Sequence, residues 1–155
     1  MSDDLQLKNF VELSGILTGY SATHLMPVID PIGIAKVYWE FLQTQTEVSQ
    51  DLINQLLKIF EDIKAQPGIK YEEKVKAVKE KILDDSALLP VARRIIRLWY
   101  LSTWYTSEPP KELGQVVSMN AYIKGLAWEA IQAHPMGYSE LTFGYWAEKP
   151  KQTTD

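Results

Sequence analysis

The chain has no cysteine, so it can form neither a disulfide nor a thiolate metal site, and it has no cysteine nucleophile. Histidine is nearly as scarce, because His24 and His134 are the only two and neither has a second ligand at helical spacing. The net charge of −4 argues against a general nucleic-acid binder, which needs a basic footprint. No apolar run reaches about 18 residues, so no transmembrane helix is predicted.

Sequence motifs of catalysis and export are also missing. The chain contains no G-x-S-x-G elbow and no glycine-rich phosphate loop after a strand. We therefore predict no catalytic, cofactor-binding or metal-binding residue in this chain. The N-terminus is acidic and then amphipathic, without a basic region, an unbroken apolar stretch or a twin-arginine pair. Three alternatives are therefore open: the protein stays where it is made, it is exported by other means, or a leader precedes this sequence.

The composition that remains is that of a globular protein. Of 155 residues, 46% are hydrophobic and 23% are charged, which predicts one domain over residues 1–150 and a short flexible tail over 151–155. Apolar periodicity and capping residues predict an all-α, bundle-like domain of about six helices. They lie near residues 5–18, from 31 onward, 50–65, 71–84, 89–105 and 120–133. An irregular, aromatic segment follows residue 134.

The predicted helix over residues 89–105 has an unusual distribution of side chains. Arg93, Arg94 and Arg97 share one narrow arc, and Leu101 and Trp104 fall on the same arc one to two turns later. Because the second half is apolar almost all round, we expect another segment to cover its outer side. The cover could be another polypeptide or the chain's own aromatic tail, which contains Phe143, Tyr145 and Trp146.

The last predicted helix places Trp128 away from its apolar face, beside two small residues, Ala121 and Gly125. Small residues around a tryptophan would form a shallow groove that another backbone can approach closely. A tight helix crossing inside the same domain explains the pattern equally well. The predicted partner interface therefore comprises these residues: Leu101, Trp104, Tyr105, Ala121, Gly125, Trp128, Phe143, Tyr145 and Trp146.

Three groups of motifs follow one another along the chain. The first is F-x-x-L-S-x-x-L-T-G at residues 10–19, and the second is R-x-I-I-R-L-W-Y, most of which is matched by Arg94 to Tyr100. The third is Y-x-x-x-L-A-W at residues 122–128, followed by G-x-x-x-x-x-x-G-Y-W-x-x-x-P at 137–150. In this order they resemble the small-subunit family of membrane-bound, FAD-dependent sugar and polyol dehydrogenases, also called the sorbitol dehydrogenase small-subunit family.

This resemblance implies a non-catalytic accessory subunit. Such a subunit would dock on a flavoprotein of the glucose–methanol–choline oxidoreductase type and help it mature or cross the inner membrane. FAD would be bound by the partner and not by this chain, and a cytochrome c subunit often completes the complex. The resemblance implies the periplasmic side of the inner membrane. The cytoplasm is the alternative, because members of the family commonly begin with a twin-arginine signal and this sequence has none.

Two other functions remain open on the sequence alone. A stand-alone helical protein could self-associate through the same aromatic surface. A small enzyme or ligand binder could use a pocket lined by tryptophan and tyrosine, with converging polar groups.

Overall fold

The computed structural model describes residues 3–136. This part of the chain is mostly helical, as predicted, with one very small antiparallel sheet. Its elements, in chain order, are α1 (Asp3–Thr18), α2 (Ala22–Leu25), α3 (Ile34–Thr44), α4 (Gln50–Lys64), α5 (Tyr71–Val78) with a following π-helical turn (Lys79–Leu83), α6 (Leu89–Leu101), β1 (Thr103–Trp104), β2 (Gln115–Val116), α7 (Met119–Ile123) and α8 (Leu126–Ala130).

Helices α1 and α6 form the centre of the packing. Helix α1 contacts α2, α3, α4 and α6, while α6 also contacts α8, β1 and the π-helical turn. Aromatic rings fill the space between them: the ring of Phe10 lies 5.7 Å from that of Trp39 and 6.0 Å from that of Trp99. The Trp99 ring also meets Tyr38 edge-on at 5.0 Å. Two of the tryptophans therefore belong to the interior of this domain.

The helix predicted from residue 31 begins later than expected. Asp30 does form hydrogen bonds to backbone N–H groups, accepting from Ile32 at 3.1 Å and from Gly33 at 2.7 Å. However, Gly33 has a φ of 66°, in the left-handed region that favours glycine, and this breaks the helical path. Helix α3 therefore starts at Ile34. The predicted capping by Ser49 is confirmed, since its side chain accepts from the Leu52 N–H at 3.4 Å.

The helix predicted over residues 89–105 ends at Leu101. Ser102 takes the left-handed conformation, with a φ of 49°, and turns the chain into β1. Its hydroxyl donates to the Ser118 carbonyl at 3.2 Å, and its own carbonyl accepts from the Val117 N–H at 2.9 Å. The prediction that residues 102–105 are helical is therefore wrong, because these contacts bind Ser102 to the segment that returns from β2.

The last predicted helix is two short helices, α7 and α8, joined at Gly125. Strands β1 and β2 were not predicted; they pair Thr103 with Val116 and Trp104 with Gln115. Two residues in each strand are too few to give a periodic sequence pattern.

Candidate docking surface

Trp104 is the predicted interface residue whose placement differs most from expectation. It lies in β1 rather than on a helix, and its side chain is only 3% exposed. Its ring packs edge-on against Phe41 at a centroid distance of 5.4 Å. The expectation that Trp104 lies on the same helical arc as Leu101 is wrong, because α6 ends before Trp104. Phe41 covers the Trp104 ring from inside the domain. Leu101, the last residue of α6, is exposed.

The three arginines of α6 hold the segment that follows β1. Arg94 is buried and donates through Nε to the Tyr105 carbonyl at 3.0 Å and through Nη2 to the Thr106 carbonyl at 2.9 Å. The side chain of Glu108 is only 4% exposed and accepts from both terminal nitrogens of Arg97, at 3.1 Å for Nη2, while Arg93 lies 3.8 Å away. These charges are therefore satisfied within the chain.

Tyr105, which we predicted at the interface, is only partly exposed. Its ring centroid lies 5.7 Å from the guanidinium carbon of Arg97, a cation–π contact. The same arginine that pairs with Glu108 thus covers one side of this ring.

Ala121 and Gly125 are both buried. A Cβ added at Gly125 would lie 2.6 Å from the Tyr100 carbonyl oxygen and 3.2 Å from that of Tyr122. The close backbone approach at Gly125 is therefore made by the end of α6, inside the domain. This corrects the expectation that Gly125 and Ala121 leave a groove for a partner, and it supports the alternative of a tight internal crossing.

Trp128 is half-buried and retains some surface. Its Nε1 donates to the Tyr122 carbonyl at 2.8 Å, and the two rings meet edge-on at 5.5 Å. Among the predicted interface residues, Trp128, Leu101 and Tyr105 keep side-chain surface that a partner could contact. Phe143, Tyr145 and Trp146 lie outside the described residues.

A different apolar surface lies on the loop between α2 and α3. We call Met26, Val28 and Ile29 the loop tip. Val28 is fully exposed, Ile29 is 87% exposed, and Met26 is also exposed. Val28, Ile29 and Met26 together form a small apolar patch open to water, which makes the loop tip a candidate contact surface. These residues are not among the predicted interface residues, although the sequence P-V-I-D-P places an apolar pair between two prolines.

The loop tip is held from both sides. On one side, the Asp30 carboxylate fixes the following turn through its two backbone hydrogen bonds. Pro27 and Pro31 restrict the backbone before and after the apolar pair. Val28 and Ile29 are therefore presented by a constrained backbone, which lowers the entropy that a partner would have to remove on binding.

On the other side, helix α2 is linked to α8. Nε2 of His24 lies 3.2 Å from Oε2 of Glu129, and the His24 ring lies 4.9 Å from the Tyr20 ring. Burial raises the pKa of the Tyr20 phenol, and the nearby Glu129 carboxylate raises it further. This contact brings the base of the loop next to the helix that precedes Ile131, another exposed aliphatic residue.

Within residues 3–136, no group of three or more histidine and acidic side chains is arranged to hold a metal ion. Over the same residues, no helix combines the length and the apolar character needed to cross a membrane. Comparison of the chain with protein-family models, curated proteins and solved structures returns no match. The family resemblance of the sequence motifs therefore stays a prediction.

Proposed function

We propose that this chain is a non-catalytic accessory subunit that docks through the loop tip on the FAD-containing catalytic subunit of a sugar or polyol dehydrogenase complex. The observation that carries the docking role is the exposed Val28–Ile29 pair on a constrained loop. Full burial of one such side chain is worth about 1.5–3 kcal/mol. Burial of both Val28 and Ile29 can therefore contribute to holding a complex together. Leu101, the exposed residue on the predicted arc of α6, has less surface left to bury.

The identity of the partner rests on the order of the sequence motifs. Several motif residues in the described part, including Phe10, Leu13 and Trp99, are buried in the core. Because these motif residues stabilise the core, the motifs support a fold shared with the small-subunit family. The exposed loop tip supports the proposed contact with the flavoprotein. In the proposed complex the partner binds FAD, this chain assists its maturation or export, and a cytochrome c subunit is a further member. The proposed location is the periplasmic side of the inner membrane.

Co-expression tests this proposal. The chain is produced with a glucose–methanol–choline type flavoprotein from the same genome, isolated through a tag, and the eluate is examined for the flavoprotein and its FAD absorbance. We expect a stable complex, and we expect less FAD-loaded flavoprotein when this chain is left out. Failure to co-purify, together with full flavoprotein activity in the absence of this chain, would defeat the proposal.

The loop tip would also fit a second copy of the chain. Sedimentation of the purified chain separates the two cases. A monomer that enters a complex when the flavoprotein is added supports the accessory role, whereas a stable homodimer that ignores the flavoprotein supports self-association and contradicts it.

A further inference from the structure

A cleft of about 550 Å³ opens between α1, the turn after it, and the neighbouring helices α4 and α5. Its volume falls within the range of about 300–1,000 Å³ typical of small-molecule sites. None of its lining residues belongs to the loop tip, so it is a separate candidate site.

Aromatic rings from three segments line the cleft. Phe60 of α4 is buried, Tyr20 after α1 is half-buried, and Tyr71 at the start of α5 is 61% exposed. At Gly15 the backbone of α1 closely approaches the following turn, because an added Cβ would lie 2.9 Å from the Tyr20 carbonyl oxygen. Because Phe60 is only 1% exposed, the rings that a ligand can contact are those of Tyr20 and Tyr71, and two accessible rings suit a planar aromatic group.

The charged side chains of the cleft indicate which charge a ligand should carry. Glu12 lines it, but its carboxylate is already paired with the Lys64 ammonium. Lys64 also donates to the Asn9 side-chain oxygen at 3.0 Å and lies 5.7 Å from the Phe60 ring centroid. Lys74, by contrast, forms no ion pair with any other residue in the described range 3–136. The uncompensated charge in the cleft is therefore positive.

We propose that this cleft binds a small aromatic carboxylate. The ring packs against Tyr20 and Tyr71, and the carboxylate lies beside the Lys74 ammonium. The site is independent of the proposed docking role, so either can fail without the other.

Nuclear magnetic resonance titration of the full-length chain tests the site. The probes are 3-phenylpropanoate, its neutral amide and the cation 2-phenylethylamine, which share the ring and differ in charge. We expect saturable shifts of the Gly15, Gly19 and Lys74 amide signals with the carboxylate. We expect about fivefold weaker binding of the amide, the effect of one partly exposed ion pair, and still weaker binding of the cation.

The matched variants are Lys74→Gln and Lys79→Gln, which each remove one lysine from neighbouring turns; Lys79 does not line the cleft. Lys74→Gln should weaken carboxylate binding about fivefold and leave the affinity for the amide unchanged, and Lys79→Gln should change neither. The proposal is overturned if the carboxylate gives no saturable shifts, if the shifts lie outside the cleft, or if carboxylate and cation bind equally. Because the three probes are compared on the wild-type chain, they test the site even if a variant does not fold.

Discussion

At the scale of single residues, Gly125 is fixed by the backbone of another helix. The Tyr100 carbonyl would lie 2.6 Å from an added Cβ, too close for any side chain without movement of α6 or α8. We expect Gly125→Ala to lower the free energy of unfolding by about 1–3 kcal/mol, because both neighbours within 3.2 Å are backbone atoms. Urea unfolding monitored by circular dichroism measures this change.

Lys124→Ala, at the exposed neighbouring position, is the control for Gly125→Ala and should stay within about 0.5 kcal/mol of wild type. If Gly125→Ala were as stable as wild type, the close contact between α6 and α8 would not exist as described.

Tyr38 is a buried phenol whose ionisation opposes folding. Burial raises its pKa to about 12. At a pH below 10, the ordinary pKa of a tyrosine, the phenol is protonated in both the folded and the unfolded chain, so it does not make stability depend on pH. Between pH 10 and about 12 the unfolded chain loses this proton and the folded chain keeps it, so stability falls as pH rises. By pH 11 the loss is about 1.4 kcal/mol.

Tyr38→Phe should remove this part of the pH dependence. The measurement is urea unfolding at pH 8 and pH 11, compared between Tyr38→Phe and wild type. Tyr71→Phe, at an exposed tyrosine, is the control and should keep the wild-type dependence. An unchanged alkaline loss of stability in Tyr38→Phe would show that Tyr38 is not shielded from solvent in the folded protein.

At the scale of elements, the segment between β1 and β2 depends on the arginines of α6. Glu108 is the buried carboxylate that pairs with Arg97 and faces Arg93. Glu108→Gln should lower the free energy of unfolding by about 1–3 kcal/mol, less than for a fully buried pair because both arginines are partly exposed. Hydrogen exchange should also show faster exchange of the β1 and β2 amides.

Glu112→Gln is the matched control in the same loop, since Glu112 is exposed and accepts only from the Thr106 hydroxyl among the described contacts. We expect little change in its stability. Equal effects of the two substitutions would mean that the arginine contacts do not hold this segment.

The helices that could be predicted from the sequence are those with local start or stop residues. Ser49 at the start of α4 and Gly19 after α1 are examples, since capping and left-handed glycine depend on neighbouring residues. The end of α6 could not be predicted, because Ser102 carries no such local pattern. Its conformation is set by hydrogen bonds to Val117 and Ser118, which are distant in sequence.

At the scale of the whole molecule, the apolar surface left to solvent in the described residues is chiefly aliphatic and methionine, not tryptophan. Trp104, which was predicted at the interface, is buried by the chain itself, as are Trp39 and Trp99. Periodicity could not reveal the loop tip, because Val28 and Ile29 lie outside any helix or strand. They lie in the irregular segment between α2 and α3, just before the turn that Asp30 fixes.

We propose that the loop tip binds a partner flavoprotein. The most direct measurement is the affinity of the purified flavoprotein for the double variant Val28→Ser/Ile29→Ser, compared with wild type and with Leu113→Ser. Leu113 is as exposed as Val28 but lies on the loop between β1 and β2. Both variants should fold like wild type, because the replaced side chains already lie in water.

We predict that the double variant binds about a hundredfold more weakly, the loss of roughly 3 kcal/mol of aliphatic burial, and that Leu113→Ser binds like wild type. Wild-type affinity in the double variant, or no binding by the wild-type chain, would show that the loop tip does not dock on the flavoprotein.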